Sequence, residues 1–405
     1  MYSPKYPEYI EKIIKRFSAA GEQAFIVGGC LRDGMLGKSP DDFDMATSAL
    51  PERTMEIFSD ERLITNGLKH GTVTVIMDSH PVEITTFRVD GEYSDSRHPD
   101  AVSFTARIED DLARRDFTVN AMAYNREAGL IDPFGGRDDL GAGILRAVGE
   151  PERRFDEDAL RIMRAFRFSA QLGFEIDAAT LEGARAKRDG LANIARERIG
   201  VELVKLITSP SPVSAIEKMT ELCIMPYVCD GLVLNETILK RIAEMPPAPS
   251  ARLGFLLSAT DTETARRILR GLRLSTKTVS GAIAVIEGSR TCISDMREAG
   301  RFAARFGAAA NDAALASELL GVSPAGAAEL VGKWQTLPHT LGDLDIGGSD
   351  IIALGASGKE IGQILNRLLD AVLSAPEQNE KEILLTLAKK EIAKIRESEK
   401  TNGNN

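Results

Sequence analysis

The residues whose types and spacing most suggest chemistry in this chain are two aspartates, Asp42 and Asp44, with only Phe43 between them. On a β-strand the two carboxylates would point to one face and Phe43 to the other. Two convergent carboxylates on a rigid strand suit Mg²⁺, a hard cation that prefers oxygen ligands and keeps substrate phosphates in its shell. Two such ions about 3.5–4 Å apart can activate an attacking hydroxyl and stabilise a leaving pyrophosphate. Alone, this spacing also fits a solvated acidic loop.

Two adjacent glycines, Gly28 and Gly29, follow the apolar run 24–27 and precede a helix-like segment that carries Arg32. Glycine lets a backbone approach a ligand closely because no Cβ is in the way. The free N–H groups at the start of the following helix favour a phosphate, and the guanidinium fork of Arg32 can bind one. Such a turn can equally pack a helix onto a sheet. Its combination with the acidic pair about a dozen residues later is much more specific than either motif alone.

A second polar group lies in the segment 111–122, where Arg114 and Arg115 are adjacent. Neighbouring cations repel each other unless anions neutralise them. Asp116 and Asn120 follow in the same segment and could hydrogen-bond a ribose, whose 2′-hydroxyl distinguishes ribonucleotides from deoxyribonucleotides. The alternative interpretation is a solvated helix start with an aspartate cap.

The segment 157–168 predicts one amphipathic helix, because its residues divide into two faces at about 100° per residue. The face predicted to pack inward consists of Ala159, Ile162, Met163 and Phe166. The opposite, exposed face is predicted to carry Glu157, Arg161 and Arg164, with Asp158 at its edge. Leu160 and Phe168 depart from this pattern, since they are apolar and point towards the polar side.

The polar face of this helix suits the selection of a nucleobase. Aspartate only accepts hydrogen bonds and arginine only donates them. Cytosine and adenine each present an amino donor beside a ring-nitrogen acceptor, whereas guanine and uracil present the reverse order. A pair formed by Asp158 and Arg161 would therefore accept the first two bases and leave polar groups unpaired with the others. The alternative is an ordinary salt bridge on a solvated helix.

Together these motifs resemble the active-site signature of class II tRNA nucleotidyltransferases and bacterial poly(A) polymerases, in the polymerase-β-like superfamily. The glycine turn at 28–33 and the acidic pair at 42–44 carry the resemblance, and the segment 111–122 closely matches the second motif of the family. The segment 132–140 resembles the hinge motif between catalytic head and helical neck. The segment 194–203 resembles the fifth motif, a neck helix start that supports the nucleotide pocket.

The resemblance implies a role for each motif residue. Asp42 and Asp44 would be the catalytic residues and the ligands of Mg²⁺. The nucleotide-binding residues would be Gly28, Gly29, Arg32, Arg115, Asp116, Asn120, Asp158, Arg161, Arg164 and Arg167. Within this set Gly29, Arg32 and Arg115 would hold phosphates, and the last four residues would read the base.

The implied activity is the template-independent addition or repair of the 3′-terminal CCA of tRNA from CTP and ATP, with release of pyrophosphate. A poly(A) polymerase or a partial CC- or A-adding enzyme would use the same motifs. A member of a different class, an inactive RNA-binding scaffold, is disfavoured by the intact Asp42 and Asp44.

Two further segments bear on the product and on RNA binding. The Gly- and charge-rich segment 86–100 resembles the flexible loop that full CCA-adding members of the family keep. The segments 346–350 and 354–362 resemble the tail of bacterial CCA-adding enzymes. The last of these is a glycine turn entering a helix, which could hold an RNA phosphate or simply connect two helices.

The elements that must position these residues divide the chain in two. Short β-branched runs at 24–27, 73–76 and 82–87 predict strands, and helical stretches lie among them. The remainder is rich in Ala, Leu, Arg and Glu, which favours helices. The predicted fold is therefore α+β, a polymerase-β-like nucleotidyltransferase head followed by an all-α region. The predicted domains are a catalytic head at 1–145, a neck at 146–208, a body at 209–287 and a tRNA-binding tail at 288–405.

Composition and charge exclude several other classes of protein. The 405 residues are too many for one small core. Four cysteines without CxxC spacing exclude a disulfide framework and a common zinc site, and four histidines are too few for a histidine metal centre. The net charge of −10 argues mildly against nucleic-acid binding, although a local basic face can coexist with it. No apolar run approaches the roughly 18–20 residues of a membrane span, so the cytoplasm is the expected location.

Overall fold

The computed structural model describes residues 5–40, 42–90 and 102–402. The chain forms two compact units, Met1–Asp230 and Gly231–Asn405. Most of the predicted flexible loop lies outside the described residues. Within the described part of the chain, every helix is too short or too polar to cross a membrane.

The first unit is built on a mixed seven-stranded sheet with the strand order β3-β4-β5-β2-β1-β8-β9. The strands of the chain are β1 Ala24–Val27, β2 Asp44–Thr47, β3 Arg62–Ile64, β4 Thr72–Met77, β5 His80–Thr86, β6 Arg88–Asp90, β7 Val102–Phe104, β8 Ala123–Asn125, β9 Gly129–Ile131, β10 Ile144–Leu145 and β11 Glu175–Ile176. Within the large sheet β2 and β5 are parallel, and the other neighbouring pairs are antiparallel. The three strands predicted from β-branched runs are confirmed.

Strand β1 lies in the centre of the sheet and is buried on both faces. Ile26 belongs to the core beneath helix α1 (Glu8–Ala19), while Phe25 and Val27 belong to a second core on the other face. This double burial explains why β1 is apolar without alternation. The glycine turn that follows it therefore starts from a rigid central strand.

The remainder of the described chain is almost entirely helical, which confirms the predicted α+β head followed by helices. The first unit contains α1, α2 Gly29–Met35, α3 Pro51–Ile57, α4 Ile108–Ala113, α5 Gly136–Ala142, α6 Pro151–Glu157, α7 Leu160–Leu172, α8 Ala178–Ala186, α9 Arg196–Ile207, α10 Pro212–Glu221 and α11 Met225–Val228. The second unit contains α12 Glu236–Arg241, α13 Pro249–Leu256, α14 Thr262–Gly271, α15 Thr276–Gly288, α16 Met296–Phe306, α17 Ala310–Leu319, α18 Ala327–Lys333, α19 Gly348–Ala353, α20 Lys359–Ser374 and α21 Lys381–Asn402.

The prediction of one continuous helix over 157–168 is wrong. Helix α6 ends at Glu157, Asp158 is extended (φ −148°, ψ 101°), and α7 begins at Leu160. The reason is local: a carboxylate oxygen of Asp158 accepts a hydrogen bond from the backbone N–H of Leu160 at 3.0 Å. Aspartate competes in this way with helical hydrogen bonding and favours helix starts.

Of the two faces predicted for this segment, the structure confirms the inward one and contradicts the exposed one. The inward face is confirmed, because Ala159, Ile162, Met163 and Phe166 are all buried. The exposed face is wrong, because Arg161 is only 9% exposed and Leu160 and Phe168 are buried as well. This side of α7 borders a polar cleft and does not face open solvent.

In the second unit, the two predicted tail segments frame α19 and lead into α20. Gly355 (φ 88°) and Gly358 (φ 56°) lie between these helices, where only glycine adopts such angles without strain. Apolar side chains of α19, α20 and α21 share one core, which includes Ile351, Leu368 and Leu384. The structure thus confirms that a glycine turn precedes helix α20.

Candidate active site

A cleft of about 570 Å³ in the first unit brings the predicted site residues together. The predicted residues that line it are Gly28, Gly29, Arg32, Asp44, Arg115, Asp116, Asn120, Asp158, Arg161, Arg164 and Arg167. The other lining residues are Arg114, Leu160, Phe168, Gln171 and Arg198. Of the predicted site, Asp42 alone is outside this lining. The lining carries seven arginines against three aspartates, so the cleft is locally cationic in an acidic protein.

The glycine turn forms one wall of the cleft. Gly28 has φ 73° and ψ −139°, a conformation that is essentially restricted to glycine. A Cβ on Gly28 would also lie 3.1 Å from Nη1 of Arg115. The backbone angle therefore requires glycine at this position, and a Cβ would also press on the guanidinium of Arg115.

The acidic pair lies where the chain enters the sheet. Phe43 is buried between Asp42 and Asp44, which are more exposed. The strand itself begins at Asp44, so Asp42 lies in the bend before it. Desolvation of the Asp44 carboxyl raises its pKa, Glu83 and Asp42 raise the pKa further, and the guanidinium of Arg115 only partly offsets them. Glu83 lies opposite Asp44 in the parallel pairing of β2 and β5.

Asp111 neutralises the two adjacent arginines of the second motif. Its carboxylate is 1% exposed and accepts hydrogen bonds from Nη2 of Arg114 at 2.8 Å and from Nη2 of Arg115 at 3.1 Å. Burial by itself would raise the pKa of Asp111, but the two guanidinium groups outweigh burial and lower it. The Nε of Arg115 is buried and has no hydrogen-bond partner among the described residues, so Arg115 retains a donor for a ligand.

A chain of hydrogen bonds joins the glycine turn to helix α7. Arg32 donates to the side-chain oxygen of Asn120 at 2.7 Å, and Asn120 donates to Asp116 at 3.2 Å. Asp116 in turn accepts from Nε of Arg164 at 2.7 Å. Burial opposes ionisation of Asp116, yet Arg164 outweighs it and lowers the pKa of Asp116 to about 2.

Asp158 and Arg161, the pair predicted to select the base, are held by different partners. Asp158 accepts a hydrogen bond from Nη2 of Arg198 at 2.9 Å. Arg161 donates to Glu157 at 2.8 Å and to the backbone carbonyl of Arg114 at 2.9 Å. Within the described residues, no hydrogen bond or ion pair joins the side chains of Asp158 and Arg161. They line the same cleft as independently anchored groups.

Arg167 forms the deepest ion pair at the site. Its Nε lies 3.1 Å from Oε2 of Glu202 on α9, and both residues are buried. Burial lowers the pKa of Arg167 to about 10, and Glu202 only partly offsets this effect. The contact between Nε and Oε2 is electrostatic, since neither of these two atoms has a hydrogen-bond partner among the described residues.

Sequence reasoning missed several residues that shape the cleft. Arg198 anchors Asp158 and lies within the segment 194–203, whose resemblance to a pocket-supporting motif was the available signal. Arg114 lies next to the predicted Arg115 and lines the cleft itself.

The segment that resembles a hinge holds its turn by packing and capping. Asp132 accepts hydrogen bonds from the backbone N–H groups of Gly136 and Arg137 at 2.7 and 2.9 Å. A Cβ on Gly136 would lie 2.1 Å from the carbonyl oxygen of Thr118. Glycine is therefore required where α5 approaches the second motif.

Comparison with known protein families gives two matches. Residues 24–146 match the model described as the poly A polymerase head domain. Residues 173–233 match the model described as a probable RNA and SrmB-binding site of polymerase A.

Two curated relatives match over nearly their whole length. The CCA-adding enzyme of Lactiplantibacillus plantarum is 35% identical, with 93% of this chain and 94% of that protein covered. The CCA-adding enzyme of Geobacillus stearothermophilus is 36% identical, with 91% and 93% covered.

Solved structures that resemble this chain include CCA-adding enzymes. The crystal structure of the Bacillus stearothermophilus CCA-adding enzyme in complex with CTP is 32% identical, covers 99% of this chain and 100% of that chain, and has a TM-score of 0.79. The Thermotoga maritima CCA-adding enzyme complexed with tRNA shares the fold, with a TM-score of 0.70 at 21% identity and with 95% of this chain and 96% of that chain covered.

Proposed function

Since this chain belongs to the family of CCA-adding enzymes, it is a nucleotidyltransferase, and we propose that it builds or repairs the 3′-terminal CCA of tRNA from CTP and ATP. The tRNA 3′-hydroxyl attacks the α-phosphorus of the nucleotide, a new phosphodiester bond forms, and the bond to pyrophosphate breaks. The base is chosen by the protein without a nucleic-acid template. We place this activity in the cytoplasm, where its tRNA substrate would be repaired. The observation that carries the proposal is that all predicted site residues except Asp42 line one cleft.

The triphosphate would bind where the cleft is most cationic. Gly28 and Gly29 carry no side chain of their own and have the guanidinium groups of Arg115 and Arg32 beside them, so phosphate oxygens could approach both the backbone and these cations. Arg32 and Arg115 supply guanidinium groups, and the unpartnered buried Nε of Arg115 would gain an acceptor there. The excess of arginines in the lining attracts an anionic nucleotide despite the net negative charge of the chain.

CCA-adding nucleotidyltransferases depend on a metal, and we propose Mg²⁺ held by Asp42 and Asp44. The donor set fits, because both ligands are carboxylates, and the pKa of Asp44 is raised by desolvation and then by the carboxylates of Glu83 and Asp42. A hard cation would relieve that repulsion. When bound, Mg²⁺ supplies Lewis-acid stabilisation of the charge on phosphate oxygens. Within the described residues no group of three or more His, Cys, Asp or Glu side chains is arranged to hold a metal.

The base would be read by side chains that are already fixed before the nucleotide binds. Asp158 is anchored by Arg198, and Arg161 is anchored by Glu157. Asp158 would accept from the amino group of cytosine or adenine, and one of the arginines at 161, 164 and 167 would donate to the ring nitrogen. Pre-positioned groups lose little entropy on binding and leave a wrong base with unpaired polar atoms.

The ribose would be recognised at the hydrogen-bond chain through Asn120 and Asp116. These side chains already bond to Arg32 and Arg164, so a ribose hydroxyl would use their remaining lone pairs. Their burial restricts where the hydroxyl can lie. This arrangement favours a ribonucleotide because deoxyribose lacks the 2′-hydroxyl.

A second candidate, poly(A) polymerase activity, is favoured by the family model that matches the head. Both candidates are tested with tRNA transcripts that lack three, two, one or none of the terminal nucleotides, each incubated with one labelled nucleotide. We expect CMP on the two shorter transcripts, AMP on the transcript that lacks one nucleotide, and no addition to the complete tRNA. Runs of AMP on every transcript would identify a poly(A) polymerase. Equal incorporation of UMP and CMP would contradict base selection by the cleft.

A further inference from the structure

The aromatic ring of Phe168 lies among three arginines of the cleft. The Cζ atom of Arg167 is 3.8 Å from the ring centroid, that of Arg32 is 5.1 Å away and that of Arg164 is 5.4 Å away. Each distance is within the about 6 Å over which a guanidinium is attracted to an aromatic face. Arg32 comes from the glycine turn, whereas the other two arginines belong to α7.

The ring itself is held firmly. Phe168 is 8% exposed and lines the cleft. Its ring meets that of Phe117 edge to face, with centroids 5.9 Å apart and planes at 81°. Phe117 is fully buried. An apolar ring is thus fixed on the polar side of α7, where amphipathic periodicity alone would place a polar residue.

Three guanidinium groups this close repel one another unless something compensates. Each of the three has a carboxylate partner, since Asp33 pairs with Arg32, Asp116 with Arg164 and Glu202 with Arg167. The electron-rich ring faces of Phe168 provide a further negative potential that costs no additional ion in the cleft. Unlike a carboxylate, the ring attracts the guanidinium groups without using up any of their N–H donors.

We propose that Phe168 is a positioning residue that holds the guanidinium groups of Arg32, Arg164 and Arg167 for the nucleotide through cation–π attraction. This inference rests on the proposed function, because it concerns the same cleft. It assigns a role to the one aromatic residue of the lining. The role depends on the electrostatics of the ring and not only on its volume.

The test replaces Phe168 by phenylalanines with one, two and three ring fluorines in the full-length protein. Each fluorine weakens the negative potential of the ring face and changes its volume little. We expect the Kd for CTP, measured by calorimetry, to rise stepwise by roughly threefold per fluorine. Phe168→Leu should weaken CTP binding by about tenfold or more. The same fluorinated residues at Phe166, which is fully buried on the same helix and outside the lining, serve as the control and should leave Kd unchanged.

The possible outcomes separate this inference from the function on which it rests. A Kd that stays constant along the fluorine series would overturn the positioning role, even if Phe168→Leu binds CTP poorly, since packing alone would then explain the leucine variant. An equal response at Phe166 would overturn it as well. Failure of the unmodified protein to bind CTP would instead refute the proposed function. The fluorinated series preserves ring shape, so it remains informative if the leucine variant does not fold.

Discussion

At the scale of single residues, the carboxylates of the cleft differ in what surrounds them. Asp116 is buried against Arg164, and its pKa falls to about 2. Asp44 is desolvated beside Glu83 and Asp42, and its pKa is raised. The first carboxylate is compensated within the protein, whereas the second would be compensated by the proposed cation. Neighbours thus assign different roles to aspartates in one site.

The burial of Asp116 against Arg164 leads to a prediction for the free energy of unfolding. Because the folded pKa of Asp116, about 2, lies below its ordinary value, its stabilisation is present above about pH 4 and is lost as pH falls through about 2. Asp116→Asn should therefore lower the free energy of unfolding by about 2–3 kcal/mol at pH 7. Urea denaturation should show that the difference in free energy of unfolding between the variant and the wild type decreases as the pH falls from about 4 to about 2.

The control for this variant is Asp138→Asn, which changes an exposed aspartate of the same unit. It should shift the free energy of unfolding by no more than about 0.5 kcal/mol. An Asp116→Asn protein as stable as the wild type at pH 7 would contradict the strength assigned to the pair with Arg164.

A second residue-scale prediction concerns Arg198, the anchor of Asp158. Arg198→Ala should lower kcat/KM for CTP by about tenfold and reduce the preference for CTP over UTP by a similar factor, since Asp158 would lose its fixed orientation. Single-nucleotide addition to tRNA lacking CCA measures both. Arg185→Ala, on the exposed side of α8, is the matched control. Unchanged discrimination in the Arg198 variant would show that the anchor is dispensable.

At the scale of elements, substitutions at the glycine turn after β1 can distinguish the effect of backbone strain from that of a steric clash. Gly28 and Gly21 both have positive φ, 73° and 79°, but only at Gly28 would a Cβ meet another group, Nη1 of Arg115. Alanine at either position should cost about 1–2 kcal/mol of stability. Only Gly28→Ala should also weaken CTP binding, by about tenfold, because it displaces Arg115. Equal CTP affinity in the two variants would contradict a phosphate site at this turn.

Local signals in the sequence predict the elements and motif residues well. The run 24–27 is apolar and bounded by polar residues, and it forms β1. Strand β3 (Arg62–Ile64) escaped prediction, because its three residues are partly exposed and it exists through pairing with β4. The helix break at Asp158 depends on one side chain bonding to the next helix start, which periodicity does not register.

The partners within the site were much less predictable than the residues themselves. Motif spacing identifies Asp158 and Arg161, but it does not show that each is held by a different residue. Arg198 lies forty positions after Asp158, and such long-range pairs leave no periodic trace in one sequence. The same holds for the burial of Arg161, which arises because the carbonyl of Arg114 lies against it.

At the scale of the whole molecule, the cleft belongs entirely to the first compact unit. A fragment of residues 1–230 should therefore bind CTP with the affinity of the full chain. Its KM for tRNA should rise by roughly tenfold or more, since backbone contacts supplied by the helical second unit would be lost. Calorimetry with CTP and steady-state addition to tRNA check the two statements. If the fragment extended tRNA as efficiently as the full chain does, this result would contradict the tRNA-binding role predicted for the tail.

The central claim is that one cationic cleft binds the nucleotide while Asp42 and Asp44 enable its transfer. The most direct test is single-turnover transfer of labelled CMP to tRNA lacking CCA by Asp42→Asn and Asp44→Asn, with CTP binding measured on the same preparations. We predict that transfer falls by about a thousandfold or more in each variant, while both variants stay folded and retain measurable CTP binding. Transfer close to the wild-type rate in either variant would contradict the account.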